Sequence, residues 1–85
     1  MTTYHAEIHI TLKPGVLDPA GTAVTRVLQQ HHYDGVQQVR MGKLIELTLM
    51  APDQAQAQAQ VDRICREVLT NPVIETYRFR LEAQG

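Results

Sequence analysis

From Tyr4 to Leu12 the chain alternates without a break: Tyr4, Ala6, Ile8, Ile10 and Leu12 are apolar, and His5, Glu7, His9 and Thr11 between them are polar. Successive side chains of an extended strand point to opposite faces, so this pattern describes a strand with one buried face and one wet face. Such a strand cannot bury its apolar side alone. It needs neighbouring strands and a covering layer, and a chain of 85 residues has room for one domain of that kind.

Lys13, Pro14 and Gly15 break the strand, and Asp18 followed by Pro19 reads as an N-cap with proline in the first helical position. The helix that follows runs to about His32 with Ala23, Val24, Val27 and Leu28 as its apolar stripe. Gly21 in its first turn leaves room for another backbone to approach closely. Asp34 and Gly35 end that element. Val36–Met41 and Leu44–Met50 are two strand-like runs, and Gly42-Lys43 between them predicts a hairpin. Asp53 with Gln56 three residues on forms a capping box for a second helix, which reaches Leu69 with Val61, Ile64, Cys65, Val68 and Leu69 on one face. Its first half, Gln54 to Gln60, alternates Gln with Ala. That is a strand's period, but neither residue favours strands and Ala is the best helix former, so the run reads as a solvated helix start. Asn71 and Pro72 stop the helix, and Val73–Leu81 forms a last strand with Tyr77, Phe79 and Leu81 on one face. Ala83 to Gly85 reads as a loose tail.

The order βαββαβ predicts an α+β, ferredoxin-like fold over residues 1–85: a four-stranded antiparallel sheet with two helices on one face. The uncovered face then presents His5, Glu7 and His9, Gln38 and Arg40, Glu46 and Thr48, and Arg78 and Arg80. In that topology the last strand neighbours the first, which brings Arg78 and Arg80 to Glu7. The face is either a self-satisfied solvated surface or a polar contact surface for another protein.

Catalytic readings find little support. Cys65 is the single cysteine, so disulfide frameworks, all-cysteine zinc sites and two-cysteine metal chaperones are excluded. It lies on the apolar stripe of the second helix, where a thiol packs as a small hydrophobe. His5, Glu7 and His9 share one strand face, but successive members lie about 6.5–7 Å apart, too spread to converge on one zinc ion with bonds of about 2 Å. His31 and His32 sit at a helix end, where they answer the helix dipole or face solvent. No pair of carboxylates and no His–Ser pair stands on a loop at the spacing of a shared site. No catalytic, cofactor-binding or metal-binding residue is assigned. A formal charge of −1 gives no long-range attraction to nucleic acid or anionic lipid. No run is long enough to span a bilayer, and Met1–His5 has neither a basic nor an apolar leader segment, which together predict a cytoplasmic protein.

Among occupants of a βαββαβ fold, an RNA-recognition domain needs exposed aromatics on its third strand, and Leu44–Leu49 has none. An acylphosphatase-like enzyme needs an anion-cradling loop after the first strand, where this chain ends the loop with Asp18. A regulatory small-molecule-binding module resembling ACT domains and an assembly subunit both remain. Here a resemblance enters. Val16-Leu17-Asp18-Pro19-Ala20-Gly21, Val39-Arg40-Met41-Gly42-Lys43, Cys65 in the second helix and Asn71-Pro72-Val73-Ile74-Glu75-Thr76-Tyr77 together resemble the small S subunit of phosphoribosylformylglycinamidine synthase, the PurS family. The resemblance implies a non-catalytic subunit in purine biosynthesis that associates with itself as a dimer or tetramer. Its other implied partners are a glutaminase subunit and a large synthase subunit, which uses ATP and magnesium. It implies no cofactor in this chain. Asp18, Arg40, Lys43 and Glu75, charged residues beside turns and strand ends, are the candidate contacts to partners or between copies.

Overall fold

The first strand, β1 (Thr2–Leu12), is the centre of a three-stranded antiparallel sheet of order β2-β1-β3, with β2 at Gly42–Ala51 and β3 at Glu75–Gln84. The computed structural model describes residues 1–84. Pairing on β2 runs without a bulge from Thr2 opposite Ala51 to Thr11 opposite Gly42. On the other side β1 pairs from Thr3 opposite Gln84 to Leu12 opposite Glu75. These registers place Ile45, Leu47 and Leu49 of β2, and Tyr77, Phe79 and Leu81 of β3, on the same face as Ala6, Ile8 and Ile10. Ala83 and Gln84 complete β3 rather than trailing from it, and Gly85 of the expected tail lies outside the described residues.

Helix α2 (Gln54–Ile64), extended by a π-helical turn over Cys65–Leu69, covers that apolar face. Asp53 caps it, accepting a hydrogen bond from the Gln56 amide at 2.8 Å. The Gln/Ala run is helical, and Ala57 from it is fully buried beside Tyr4 and Ala51. Val61 and Cys65, one turn apart, pack on Ala6, Ile8 and Ile10. The π turn ends at Thr70, whose amide and hydroxyl both donate to the Cys65 carbonyl, at 3.1 and 2.8 Å.

Two expectations are corrected. The sheet has three strands, not four, because Val36–Met41 is irregular and Gly42-Lys43 begins β2 instead of turning a hairpin. Strand alternation would leave Val36, Gln38 and Arg40 on one side and Gln37, Val39 and Met41 on the other, so neither side is an apolar face. The backbone donors go elsewhere: Val39 N–H donates to Thr25 Oγ1 at 2.8 Å and Met41 N–H to Asp18 Oδ2 at 2.9 Å. Gln38 and Arg40 consequently stand off the sheet. The second correction concerns α1 (Pro19–Gln30). It does not share the sheet face with α2; its sheet contacts are slight, and Gly21 is its one buried residue. Val24 and Val27 of its apolar stripe are 37% and 50% exposed.

The helix begins as expected, with Asp18 accepting from the Gly21 amide at 2.9 Å. A Cβ at Gly21 would collide with the Val39 carbonyl and the Asp18 carboxylate, so this glycine is what lets residues 36–41 lie against the first turn. The other end closes through His32 in the left-handed region at φ 69°. Tyr33 N–H donates to Leu28 O and His32 N–H to Gln29 O, the two bonds of a Schellman cap, a position ordinarily given to glycine.

With α1 standing off, the chain is long and thin, 52 × 29 × 14 Å, with a radius of gyration of 16.6 Å. A compact domain of this length has about 12 Å. Its accessible surface is 6115 Å², whereas a folded monomer of 9.6 kDa exposes about 5,100 Å². The excess is comparable to the roughly 800 Å² that each partner buries in a standard interface. Within the protomer the core rests on β1: Ile8→Ala, at a fully buried position, should lower unfolding free energy by about 2–5 kcal/mol in urea titration.

Candidate functional site

The four residues singled out as contact candidates gather at one end of the sheet, where the chain leaves β1 and enters β2 and β3. Each is tied to the chain itself. Asp18 uses both carboxylate oxygens: Oδ1 caps α1 at Gly21, and Oδ2 accepts from Met41 N–H. Those two amide bonds, the Gly21 bond first, hold its carboxyl below the ordinary value. Arg40 crosses back and donates to the carbonyls of Leu12 and Lys13, at 2.8 and 3.2 Å.

Lys43 and Glu75 meet over the central strand. Lys43 is opposite Ile10 and Glu75 opposite Leu12, so both side chains lie on the helix-bearing face, and their ion pair spans β1 at 3.4 Å. The second oxygen of Glu75 accepts from the Asn71 amide at 2.8 Å. That bond, with Lys43 adding to it, lowers the Glu75 pKa. Residues missed at the sequence level complete the knot. Lys13 donates its ammonium to Pro72 O at 2.6 Å and its amide to Ile74 O at 2.8 Å. Thr25 relays between Gly21 O and the Val39 amide. A threonine one turn beyond a first-turn glycine was the available signal for the latter; nothing local marks Lys13.

An open cleft of about 470 Å³ lies between α1 and residues 36–41, lined by Asp18, Thr25, Gln29 and Arg40 among others. These groups bind backbone of the chain itself, Gln29 donating to Val36 O at 3.3 Å, so the polar lining of the cleft is already engaged within the protomer.

The other face of the sheet is polar, as the alternation implies. Arg80 pairs with Glu7 at 3.1 Å, directly across the strands, and His9 meets the other oxygen of Glu7 at 3.1 Å. The His9 hydrogen bond is the main cause of the lowered Glu7 pKa, with Arg80 next. Arg78 is opposite His9, not Glu7. His5 lies 3.8 Å from Glu46, away from the His9–Glu7 pair, and no three His, Cys, Asp or Glu groups are placed to hold a metal ion among the described residues. Cys65 is wholly buried, and burial raises its thiol pKa. No described helix is long and apolar enough to cross a membrane. Among the apolar surface left unmatched within the protomer is the stripe of α1, with Val24 and Val27 37% and 50% exposed.

The pattern of the PurS family, described as phosphoribosylformylglycinamidine (FGAM) synthase, matches residues 5–83. The chain belongs to the PurS family. A PurS subunit of phosphoribosylformylglycinamidine synthase from Synechocystis is 59% identical over 95% of this chain and 81% of its own length. PurS from Thermus thermophilus, 34% identical, superposes with a TM-score of 0.86 over 98% of this chain and 99% of that one. A chain in the structure of PurLQS from Thermotoga maritima, 33% identical, does so with a TM-score of 0.87 over 96% and 100%. The fold is thus α+β, as in these PurS structures, with a three-stranded sheet in this chain, and the function is that of a subunit in a purine-biosynthetic complex.

Replacing Asp18 with Ala removes a cap and the anchor of Met41 together, and should lower the Tm by about 4–8 °C, the shift that corresponds to losing one N-cap in a domain of this size. Glu7, Asp18 and Glu75 all have lowered folded-state pKa values, so the stability they contribute is present above the ordinary carboxylate range. It should be lost as pH falls below about 4.5 and through their folded values. Urea titrations at pH 7, 5, 4 and 3 should show that decline, with a shallower slope for Glu75→Gln.

Proposed function

We propose that this chain is the non-catalytic assembly subunit of phosphoribosylformylglycinamidine synthase, bridging a glutaminase subunit and an ATP-dependent large subunit. In that role it supports passage of ammonia from glutamine to formylglycinamide ribonucleotide, giving formylglycinamidine ribonucleotide. ATP and magnesium act in the large subunit, the chain itself carries no cofactor, and the complex works in the cytoplasm. Shielding the path matters because ammonia released to bulk water is protonated and loses its nucleophilic lone pair.

The observation that carries this reading is the amphipathic helix left in water. An apolar stripe of Val24 and Val27 on a helix with slight sheet contacts is a surface for burial by another chain. The excess surface and the extended shape support the same conclusion. We assign the first layer of burial to a second copy, with α1 of each protomer covering its partner in a symmetric dimer; pairs of such dimers would give a tetramer. Asp18, Arg40, Lys43 and Glu75 serve this assembly by holding the base of α1 and the strand ends in place, at the margin of the contact. Arg40→Glu would therefore disturb the anchoring at Leu12 and Lys13 along with assembly. Val27→Glu is the cleaner variant, because Val27 is half exposed in the protomer.

Light scattering should report a lower molar mass for Val27→Glu than for the native chain, with an unchanged far-ultraviolet circular dichroism spectrum. Reconstitution with the large and glutaminase subunits should give glutamine-dependent amidation only when the native chain is added. Equal activity without it would overturn the assignment.

A further inference from the structure

The polar face of the sheet is built of cross-strand rows, and charge is divided unevenly among them. His5 stands between Thr48 and Glu82, Glu7 between Glu46 and Arg80, His9 between Leu44 and Arg78, and Thr11 between Gly42 and Thr76. The first two rows hold the carboxylates Glu7, Glu46 and Glu82, and the last two hold none. Both oxygens of Glu7 are taken, one by His9 and one by Arg80. Glu75, the next carboxylate along β3, lies on the helix-bearing face, engaged by Lys43 and the Asn71 amide. Arg78 therefore has no carboxylate partner among the described residues. The hydroxyls of Thr11 and Thr76, directly opposite each other, accept and donate no hydrogen bond within that part of the chain either. A hollow of about 280 Å³ opens over these two rows, lined by His9, Thr11, Thr76, Tyr77 and Arg78. Lys13 follows two residues after Thr11, its amide bonded to Ile74 O, and adds positive charge to the same end of the sheet.

We propose that this hollow is a subsite for a phosphoryl group, with Arg78 as the charged donor and Thr11 and Thr76 as neutral ones. A guanidinium binds an oxyanion through two parallel N–H bonds, and that bidentate contact uses up both oxygens of a carboxylate. A phosphoryl group has a third oxygen to offer. Opposed residues of an antiparallel pair have Cβ atoms about 4.5–5.5 Å apart, so one oxygen above the Thr11–Thr76 row can accept from both hydroxyls. The donor set is thus matched to a tetrahedral anion rather than a planar one. Gly42, the third member of that row, adds no side chain over it. The volume is near the lower end of small-molecule sites, about 300–1,000 Å³, which suits inorganic phosphate or a small phosphomonoester. Since Thr11, Thr76 and Arg78 are exposed, the affinity is modest, on the order of millimolar, as for other ion pairs in water. The subsite lies on the opposite face from α2 and uses neither α1 nor the four charged residues of the knot, so it stands or falls independently of the assembly reading.

Titration of the full chain with inorganic phosphate, ribose 5-phosphate and acetate, at constant ionic strength and followed by amide resonances, tests the assignment. The amides of Thr11, Thr76 and Arg78 should shift and saturate with either phosphate source, with a Kd at or below about 10 mM. Acetate should give no saturation. The tighter of the two phosphate sources identifies whether the hollow takes the free anion or an ester. R78Q should weaken binding by about tenfold or more, the loss expected for a charged hydrogen-bonded donor. T11V/T76V removes only the hydroxyls, in a residue type that strands favour, and should weaken it by about threefold or more. R63Q, which removes one positive charge from α2 instead, should leave the affinity unchanged. Circular dichroism of each variant checks the fold. Absence of saturation with both phosphate sources, equal binding of acetate, full binding by R78Q, or equal losses in R78Q and R63Q would each overturn the proposal.

Discussion

The structure hangs on β1. It is the strand paired on both sides, so the two outer strands, distant from each other in sequence, are held in register through it. Its four inward side chains, Tyr4, Ala6, Ile8 and Ile10, are nearly or fully buried, and α2 packs on them. In a chain this small a single three-stranded sheet with one covering helix is a modest core. Apolar surface is left on α1, which stands off that core, and at Leu44 and Met50 of β2, which point to the other face of the sheet. Apolar surface left open in the protomer is what a subunit of a complex offers to other chains.

The charged knot at the open end shows how such a protomer stays ordered before it meets a partner. Asp18 and Glu75 each divide two carboxylate oxygens between two separate segments, and Arg40 and Lys13 fasten irregular backbone to strand ends. Segments without strand or helix partners must satisfy their backbone groups some other way, and here polar side chains do so. Residues that look like free contact charges in the sequence are for this reason half committed to the fold.

Much of this was legible residue by residue. The alternation of Tyr4–Leu12, the caps at Asp18 and Asp53 and the helical character of the Gln/Ala run all follow from local rules, because a period or a cap is set by neighbours in the chain. Pairing of the last strand with the first, and with it the Glu7–Arg80 pair, was legible from element order. The motifs from Val16 to Tyr77 were sufficient to point to the family. Lys13 was not legible, since it acts on backbone brought near only by the fold, and for Thr25 only its bond back to Gly21 is local, the Val39 amide being brought to it by the fold.

Where the reading failed, the same alternating runs had two possible destinations. Val36–Met41 could have been a strand, but its amides found Thr25 and Asp18 on α1, a competition that no local pattern records. The stripe of Val24 and Val27 established that α1 must bury one face without saying whose surface would cover it. By itself, then, the sequence determined which segments are extended, which are helical and which faces are apolar, because those properties are written in short-range periodicity and capping. Only the tertiary structure decided that the sheet stops at three strands, that α2 alone closes the core and that α1 is left outward. Those outcomes depend on which distant groups win each backbone donor and each apolar surface.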